Sequence, residues 1–273
     1  MENTDKKPED RNLLHLVYGD VTLGIHGSRD GAEFHYLFSY TAGGMESLVS
    51  GGMEWLYRPP RPCFWRASSV NYRGNGFVLK SGMWLWADQF IRCGKITIWV
   101  DGEKIPFPSA PENNKYTGRE TASKVRIAYT YETVTVPPAQ TEVFYEIDGR
   151  GAIQIRAHYH GMQGLPELPL FGMRFVMPTC ADGFTYEGLS GETYPDRKAG
   201  GIPGIYKVKG LPVTPYLVPQ DCGMHMDTSW VEIQRSRRLD NRKSVSGSAA
   251  LRFQCEKGRL FAFSCLPYTA SEL

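Results

Sequence analysis

The chain has 273 residues, of which 41% are hydrophobic and 22% are charged, and 31 basic against 29 acidic side chains give a formal net charge of +2. This composition is that of an ordinary globular protein and lies outside the disordered class. The near balance of charge gives no electrostatic reason to expect a nucleic acid or a membrane surface as partner.

The first twelve residues, MENTDKKPEDRN, are charged and lack the apolar stretch of a secretory signal. No later apolar run approaches the length of a membrane span. The cysteines are scattered, without a CxxC pair and without the density of a secreted disulfide scaffold. We therefore predict a disordered tail over 1–12, a single domain over 13–273, and a cytoplasmic location.

Alternation of apolar and polar side chains dominates the first fifty residues. It predicts strands at 13–25 and 32–40, separated by a turn-rich link at 26–31. Two glycine pairs bracket a further short strand at 45–49.

Residues 81–92 form the best candidate helix, because their apolar side chains recur at helical spacing and Ser81 is a suitable N-cap. The following residues, 95–105, predict a strand that ends in a turn at Asp101-Gly102. A loop is expected at 107–115.

Three strands in the middle of the chain each place apolar side chains on one face. The apolar positions of the first two are Val125, Ile127, Tyr129, Tyr131, Val143, Tyr145 and Ile147. In the third strand, Ile153, Ile155, Ala157 and Tyr159 alternate with Gln154, Arg156, His158 and His160. One side of this sheet is predicted to be core and the other polar.

The apolar run at 168–178 is bounded by prolines and predicts a strand bent at Gly172. The polar segment 192–197 follows as a loop, in which Pro195 fixes the backbone and displays the charged neighbours on a defined turn.

Three strand patterns close the chain, at 229–234, 250–255 and 260–265, with a solvated link at 235–248. Strand signals that recur at short intervals with little helix between them are typical of a large antiparallel sandwich. The predicted fold class is all-β, a large antiparallel β-sandwich with one or two short helices.

Four motifs resemble the C-terminal β-sandwich domain of the β-galactosidases of glycoside hydrolase family 2, a domain also encoded separately as the small chain of two-chain enzymes. In chain order they are RPPRP, FWRA and RGNG at 58–76; LPLFGMRF with ETYPDRK at 168–198; the segment 216–230; and FS, PYT and EL at 263–273. Together they cover nearly the whole chain and identify it as a member of this family.

The resemblance implies a galactose-mutarotase-like supersandwich, whose concave polar face can hold a sugar. It also implies that the two carboxyl groups needed for glycoside hydrolysis belong to a barrel that precedes this domain. We therefore expect a carbohydrate-binding and assembly module of a glycoside hydrolase that is not catalytic alone. Its expected partners are a galactoside-type carbohydrate and a large catalytic β-galactosidase subunit.

The resembling domain continues beyond the PYTxxEL motif to a tryptophan that contacts sugar, whereas the sequence in hand ends at Leu273. We therefore expect a sandwich that is short at its C-terminus and has an uncovered edge or apolar strip near 260–266. Such surfaces are normally paired or covered, which predicts a homo-oligomer or a dependence on the partner.

The motifs depart from the family pattern at three polar segments. Ser68-Ser69-Val70-Asn71-Tyr72 stands where the family has PTDND, and Glu187 to Gly191 lacks the arginine and proline of YxGRGP. Asp221 to Asp227 stands where the family has ENGxRTD. These departures indicate that the fold is kept while a sugar or interface role is relaxed or altered.

The candidate carbohydrate-binding or interface residues are charged or imidazole side chains of the motifs and of the third polar strand face. They are Arg66, Arg156, His158, His160, Glu192, Asp196, Arg197, His225 and Asp227. Arg66 also fits a structural ion pair beside a core tryptophan, and the charges of 192–197 also fit a network that only fixes the loop. No cofactor, metal site or catalytic residue is predicted.

His158 and His160 leave a second function open, because histidines at i and i+2 of a strand share a face. They fit a solvated polar face or a sugar contact, and they also fit a free-standing protein that uses the concave sheet face, either a sugar-binding protein or an aldose epimerase of the mutarotase type in which they are acid and base.

Overall fold

A computed structural model describes residues 13–108, 116–239 and 248–273. The described residues form two compact units. The first contains the chain up to Trp65 together with Lys80–Met177, and the second contains Arg66–Leu79 and Pro178–Leu273. The predicted tail over 1–12 lies outside the described residues, as do 109–115 of the predicted loop and 240–247 of the predicted link. The single domain over 13–273 stays a prediction.

Antiparallel strands make up nearly all of the regular structure. The strands of the first unit are β1 (Leu14–Tyr18), β2 (Thr22–Arg29), β3 (Ala32–Ser39), β4 (Gly44–Ser50), β5 (Met53–Glu54), β6 (Arg58–Cys63), β7 (Arg92–Val100), β8 (Glu103–Ile105), β9 (Thr121–Ala122), β10 (Lys124–Glu132), β11 (Gln140–Asp148), β12 (Ile153–His160) and β13 (Gly172–Val176). Those of the second are β14 (Gly183–Leu189), β15 (Pro203–Lys209), β16 (Met224–Thr228), β17 (Trp230–Arg235), β18 (Ala249–Gln254) and β19 (Phe261–Ser264). Two short helices, α1 (Val70–Gly74) and α2 (Phe77–Ser81), lie among the described residues. The predicted all-β class is confirmed.

The first sheet has six strands in the order β5-β4-β3-β2-β1-β9. The predicted strand at 13–25 is wrong in one respect, because a turn closed by the Gly19 N–H and the Thr22 carbonyl, 2.9 Å apart, divides it into β1 and β2. The predicted link at 26–31 is mostly strand, and only Asp30 and Gly31 turn the chain, both at positive φ. This two-residue hairpin is of the Asp-Gly type that suits the twist of antiparallel strands.

The second sheet has five strands in the order β12-β11-β10-β7-β8. The apolar faces predicted for β10 and β11 are confirmed, since every one of their seven predicted core side chains is 0% exposed. The apolar side chains of the edge strand β12 are only half-buried, and Arg156, His158 and His160 on its other face are exposed. The alternation predicted for this strand therefore holds.

The two sheets of the first unit pack face to face as a sandwich. Phe38 of β3 meets Tyr145 of β11 edge-on, with ring centroids 5.5 Å apart. The hydroxyl groups of Tyr36 and Tyr131 donate hydrogen bonds of 2.6 Å to the carbonyls of Gly151 and Gly43. Aromatic side chains thus fill the core, and the backbone satisfies the hydroxyl groups of Tyr36 and Tyr131.

The helix predicted over 81–92 is wrong. Ser81 is the last residue of α2, a 3₁₀ turn follows at Gly82–Trp84, and Trp86 has a φ of +69° that no helix allows. The Trp84 indole N–H donates to the Pro166 carbonyl at 3.1 Å, and the Asp88 carboxylate pairs with Arg174. These tertiary contacts override the local helical pattern and hold the segment as consecutive turns.

The strand predicted over 168–178 is also shorter than expected. β13 begins at Gly172 and pairs with β6 in a two-stranded sheet. Pro169 lacks an N–H for a ladder, so residues 168–171 run as irregular chain, and β6 is itself rich in proline. The proline content of both segments limits this pairing to a short stretch.

The second unit is a smaller sandwich. A four-stranded sheet, β15-β14-β17-β18, faces the pair β16-β19. Between them lie the rings of Phe184, Tyr186, His225 and Phe263, with centroids 4.5 to 5.5 Å apart. These aromatic contacts form the core of the second unit.

Over the ranges that the structure describes, no helix has the length and apolar character needed to cross a membrane.

Candidate functional site

A cavity of about 280 Å³ opens in the second unit and is the candidate site. We call it the Arg66 cavity. It is lined by Arg66, Ser69, Val70, Asn71, Tyr194, Asp196, Arg197, Gln220 and Asp221. Its volume is near the lower end of the range for small-molecule sites, so it suits one small polar molecule or one inserted side chain.

Helix α1 forms one wall and is tied to the segment that precedes β16. The Ser69 hydroxyl caps the helix by accepting from the Tyr72 N–H at 3.2 Å. The Val70 N–H donates to Gln220 Oε1 at 3.1 Å, and the Arg73 guanidinium donates to the carbonyls of Ser68 and Pro219. A short helix that is unstable by itself is thereby held in place by tertiary hydrogen bonds.

The turn at Tyr194–Arg197 forms the opposite wall. Its backbone closes with a 2.9 Å hydrogen bond from the Arg197 N–H to the Tyr194 carbonyl, and the Arg197 guanidinium lies 5.1 Å from the centre of the Tyr194 ring. The buried Tyr194 donates its hydroxyl to the Asp221 carbonyl at 3.2 Å. Glu192 accepts from the Thr214 hydroxyl, and its Oε2 atom lies 3.5 Å from the Tyr194 hydroxyl oxygen, so its side chain fixes the base of the turn rather than lining the cavity.

Arg66 and Asp221 supply the charge of the cavity. The Arg66 Nη1 atom lies 4.0 Å from Asp221 Oδ2, and their side chains are 21% and 14% exposed. The guanidinium also lies over the Tyr72 ring, 4.6 Å from its centre. Burial raises the pKa of the Asp221 carboxyl to about 6, which the nearby Arg66 opposes and Glu192 reinforces. Desolvation therefore outweighs the attraction of the arginine.

Two polar atoms of this ion pair lack a hydrogen-bond partner among the described residues. Among the described residues, neither Asp221 Oδ2 nor Arg66 Nε has a hydrogen bond, although both atoms are buried. Buried polar atoms are nearly always satisfied in folded proteins, so each such exception requires an explanation. The carboxylate and the guanidinium that carry these atoms line the cavity, where they offer an acceptor and a donor to a ligand.

Two further predicted residues of this unit lie away from the cavity lining. His225 is buried in the aromatic core, with its Nδ1 atom 2.9 Å from the Gly191 carbonyl oxygen, and burial lowers the pKa of its imidazole. Asp227 has a φ of +51° at an irregularity of β16, and both of its carboxylate oxygens lie 3.2 Å from Lys198 Nζ.

The remaining predicted residues belong to β12 of the first unit. The rings of His158 and His160 lie 4.3 Å apart, and His160 Nε2 lies 3.1 Å from the Glu142 carboxylate. Arg156 donates to the Gln154 side chain at 3.2 Å. All three candidates are exposed on a sheet face, where water competes with any weak contact to a sugar.

Comparison with known proteins assigns a family. The family described as "Beta galactosidase small chain" matches residues 30–273. The chain is also 58% identical over its 273 residues to a protein of Latilactobacillus sakei named "Beta-galactosidase small subunit", of which it covers 82%. The chain belongs to the β-galactosidase small chain family. The resemblance stated from the motifs is confirmed.

Other β-galactosidases to which the chain is similar are much longer proteins. The chain is 30% identical to a "Beta-galactosidase" of Lactobacillus delbrueckii subsp. bulgaricus over 98% of its own length, but covers 23% of that protein. It is 32% identical to a "Beta-galactosidase" of Clostridium acetobutylicum over 71% of its length and covers 19% of it. The small chain thus spans about a fifth of these relatives.

Three of the four motifs of the β-galactosidase small chain meet at the Arg66 cavity. Arg66 comes from the FWRA motif, Asp196 and Arg197 come from ETYPDRK, and Asp221 comes from the segment 216–230. The fourth motif places Phe263 in the aromatic core beside His225.

Sequence reasoning had selected three cavity residues and missed the others. It missed Asp221, Tyr194, Gln220 and the start of α1, which line the same space. One signal was available for Asp221, since it is a carboxylate within a family motif; its burial beside Arg66 was not visible in the sequence.

Proposed function

We propose that this chain acts as the small subunit of a β-galactosidase of glycoside hydrolase family 2. In this proposal it binds galactoside-type carbohydrate, assembles with a large catalytic chain, and does not hydrolyse glycosides alone. Support comes from its 58% identity to a protein named a small subunit, and from its match to about a fifth of longer β-galactosidases. A separate large chain would supply the part of those proteins that the small chain does not match.

The convergence of three motifs on the Arg66 cavity is the observation that supports a binding role for this site. Segments around 66–71, 194–197 and 220–221 are far apart in the sequence and surround one space. A core requires apolar side chains, whereas this space is surrounded by guanidinium, carboxylate and amide groups. Such groups are typical of sites that orient a polar ligand.

A pyranose suits the charged pair that lines the cavity. Each sugar hydroxyl both donates and accepts, so one hydroxyl would donate to the Asp221 carboxylate while its neighbour accepts from the Arg66 guanidinium. Hydrogen bonds to charged groups contribute about 1.5 to 3 kcal/mol each, which corresponds to roughly 10- to 100-fold in affinity. The pair would therefore account for selective binding of one sugar ring.

Galactose binding to the purified chain tests the site. Calorimetry should give a measurable affinity that falls by about tenfold or more in Arg66→Ala and in Asp221→Asn, since each removes one charged partner. Asp182→Asn, an exposed carboxylate of the same unit, serves as the matched control. Equal affinity of the wild type and the three variants for galactose would show that the sugar does not bind in the Arg66 cavity.

Reconstitution tests the assembly. The chain alone should not turn over a chromogenic galactoside, because the expected machinery of two carboxyl groups belongs to another chain. Mixing it with the large chain of a two-chain β-galactosidase should yield both a stable complex and turnover. Turnover by the small chain alone above a matched blank, or absence of any complex, would contradict this part.

A further inference from the structure

Three of the six histidines of the chain lie side by side on one sheet of the first unit. His15, His26 and His35 occupy directly paired positions on the neighbouring strands β1, β2 and β3. Their ring centroids are 5.4 Å apart for His15 and His26, and 5.7 Å apart for His26 and His35. We call this row the histidine ladder.

The register of the hairpin brings two of these side chains as close as a sheet allows. The two-residue turn at Asp30-Gly31 makes Arg29 and Ala32 a hydrogen-bonded pair, and the pair types alternate from there along the strands. His26 and His35 are consequently a non-hydrogen-bonded pair, in which Cα atoms approach to about 4.5 Å. Their imidazoles leave the sheet at neighbouring points on one face.

The side chains of the ladder are accessible to a metal ion. His15 and His35 are exposed and His26 is half-buried. The Glu33 carboxylate lies 3.7 Å from His35 Nε2 on the same strand. Imidazole nitrogen with one carboxylate suits zinc, nickel or copper rather than magnesium or calcium.

The rings stack in the structure, and no three potential ligand side chains of the described ranges already surround one point. A metal ion needs nitrogens about 2.0 to 2.1 Å from it, so the rings must turn edge-on to reach one ion. Exposed side chains change rotamer within nanoseconds, so such a rearrangement is accessible. We propose that the histidine ladder binds one divalent transition-metal ion of the zinc class, held by His26 and His35 with His15 as the third ligand.

Zinc titration of the untagged full chain, first stripped with a chelator, tests the proposal. Calorimetry should show one tight zinc ion per chain. Removing even an outer-shell partner of a metal typically costs 10- to 100-fold in affinity, so His26→Gln and His35→Gln should each weaken binding by at least about tenfold. His35 is largely exposed, so its replacement should not disturb folding. Circular dichroism verifies the fold of both variants.

The other exposed pair of histidines provides the control. The double variant His158→Gln/His160→Gln removes two neighbouring imidazoles from β12 and leaves the ladder intact. It should retain the affinity of the tight zinc ion. The assignment is overturned if the wild-type chain does not bind zinc, if the ladder variants bind it as tightly as the wild type, or if the β12 variant is the one that loses the ion.

Discussion

The buried carboxyl of Asp221 should destabilise the fold at neutral pH, and Asp221→Asn should relieve this. Burial raises the pKa of this group from 3.8 to about 6. Because the folded pKa is above the unfolded value, the stabilising effect of the protonated form is complete below about pH 4 and is lost as the pH rises through 6. At 1.36 kcal/mol for each pH unit, the difference between 3.8 and about 6 corresponds to about 3 kcal/mol at pH 7 and above.

Asparagine keeps the shape of the side chain and removes the charge. Arg66 does not become an isolated buried ion in this variant, since it is 21% exposed and remains over the Tyr72 ring. The free energy of unfolding of the variant should therefore exceed that of the wild type by up to about 3 kcal/mol at pH 8, and the difference should shrink towards zero near pH 4.

Urea denaturation between pH 4 and pH 8 measures this difference, and carbon NMR of the carboxyl gives the pKa directly. Asp182→Asn, which replaces an exposed carboxylate of the same unit, is the control for the substitution itself. A variant that is less stable than the wild type at pH 8, or a difference that does not vary with pH, would refute the reasoning. The first outcome would mean that pairing with Arg66 outweighs desolvation, and the second that the two effects cancel.

Three further outcomes are expected. Polarimetry should show that the chain does not accelerate the mutarotation of galactose. Fast mutarotation that is abolished in His160→Ala would promote the epimerase alternative. Ile127→Ala should lower the free energy of unfolding by about 2 to 5 kcal/mol in a urea titration, because Ile127 is fully buried, whereas Val17→Ala on the exposed face should change it by less than about 0.5 kcal/mol. Light scattering at tens of micromolar should show self-association, since β19 pairs only with β16 among the described strands and Leu260 beside it is exposed; a stable monomer of 30.7 kDa would contradict this.

Strand alternation predicted the fold class well because burial of one face imposes a period of two along each strand. The apolar faces of β10 and β11 followed directly from this rule. The helix predicted from Ser81 failed because Trp84 and Asp88 are held by Pro166 and Arg174, which no local pattern reveals. The turn after Tyr18 was missed because the alternation on its two sides reads as one continuous strand.

The site was harder to predict than the fold, because its residues come together only through tertiary contacts. Arg66, Asp196 and Arg197 were accessible from the sequence as charged residues of family motifs. His225 has the same kind of motif position yet lies among Phe184, Tyr186 and Phe263. A motif gives the residue type, whereas only the packing of β14, β16 and β19 decides which side chains reach the cavity.

The Arg66 cavity links ligand binding to the folding of the second unit. The hydrogen bond between Val70 and Gln220 joins residues 150 positions apart, so this wall is present only after a long loop has closed. A ligand that binds only the folded form raises the free energy of unfolding by about 2.7 kcal/mol at a concentration 100 times its Kd. A sugar that enters the cavity should therefore raise the melting temperature of the chain, and a thermal-shift screen would rank candidate sugars without any enzymatic assay.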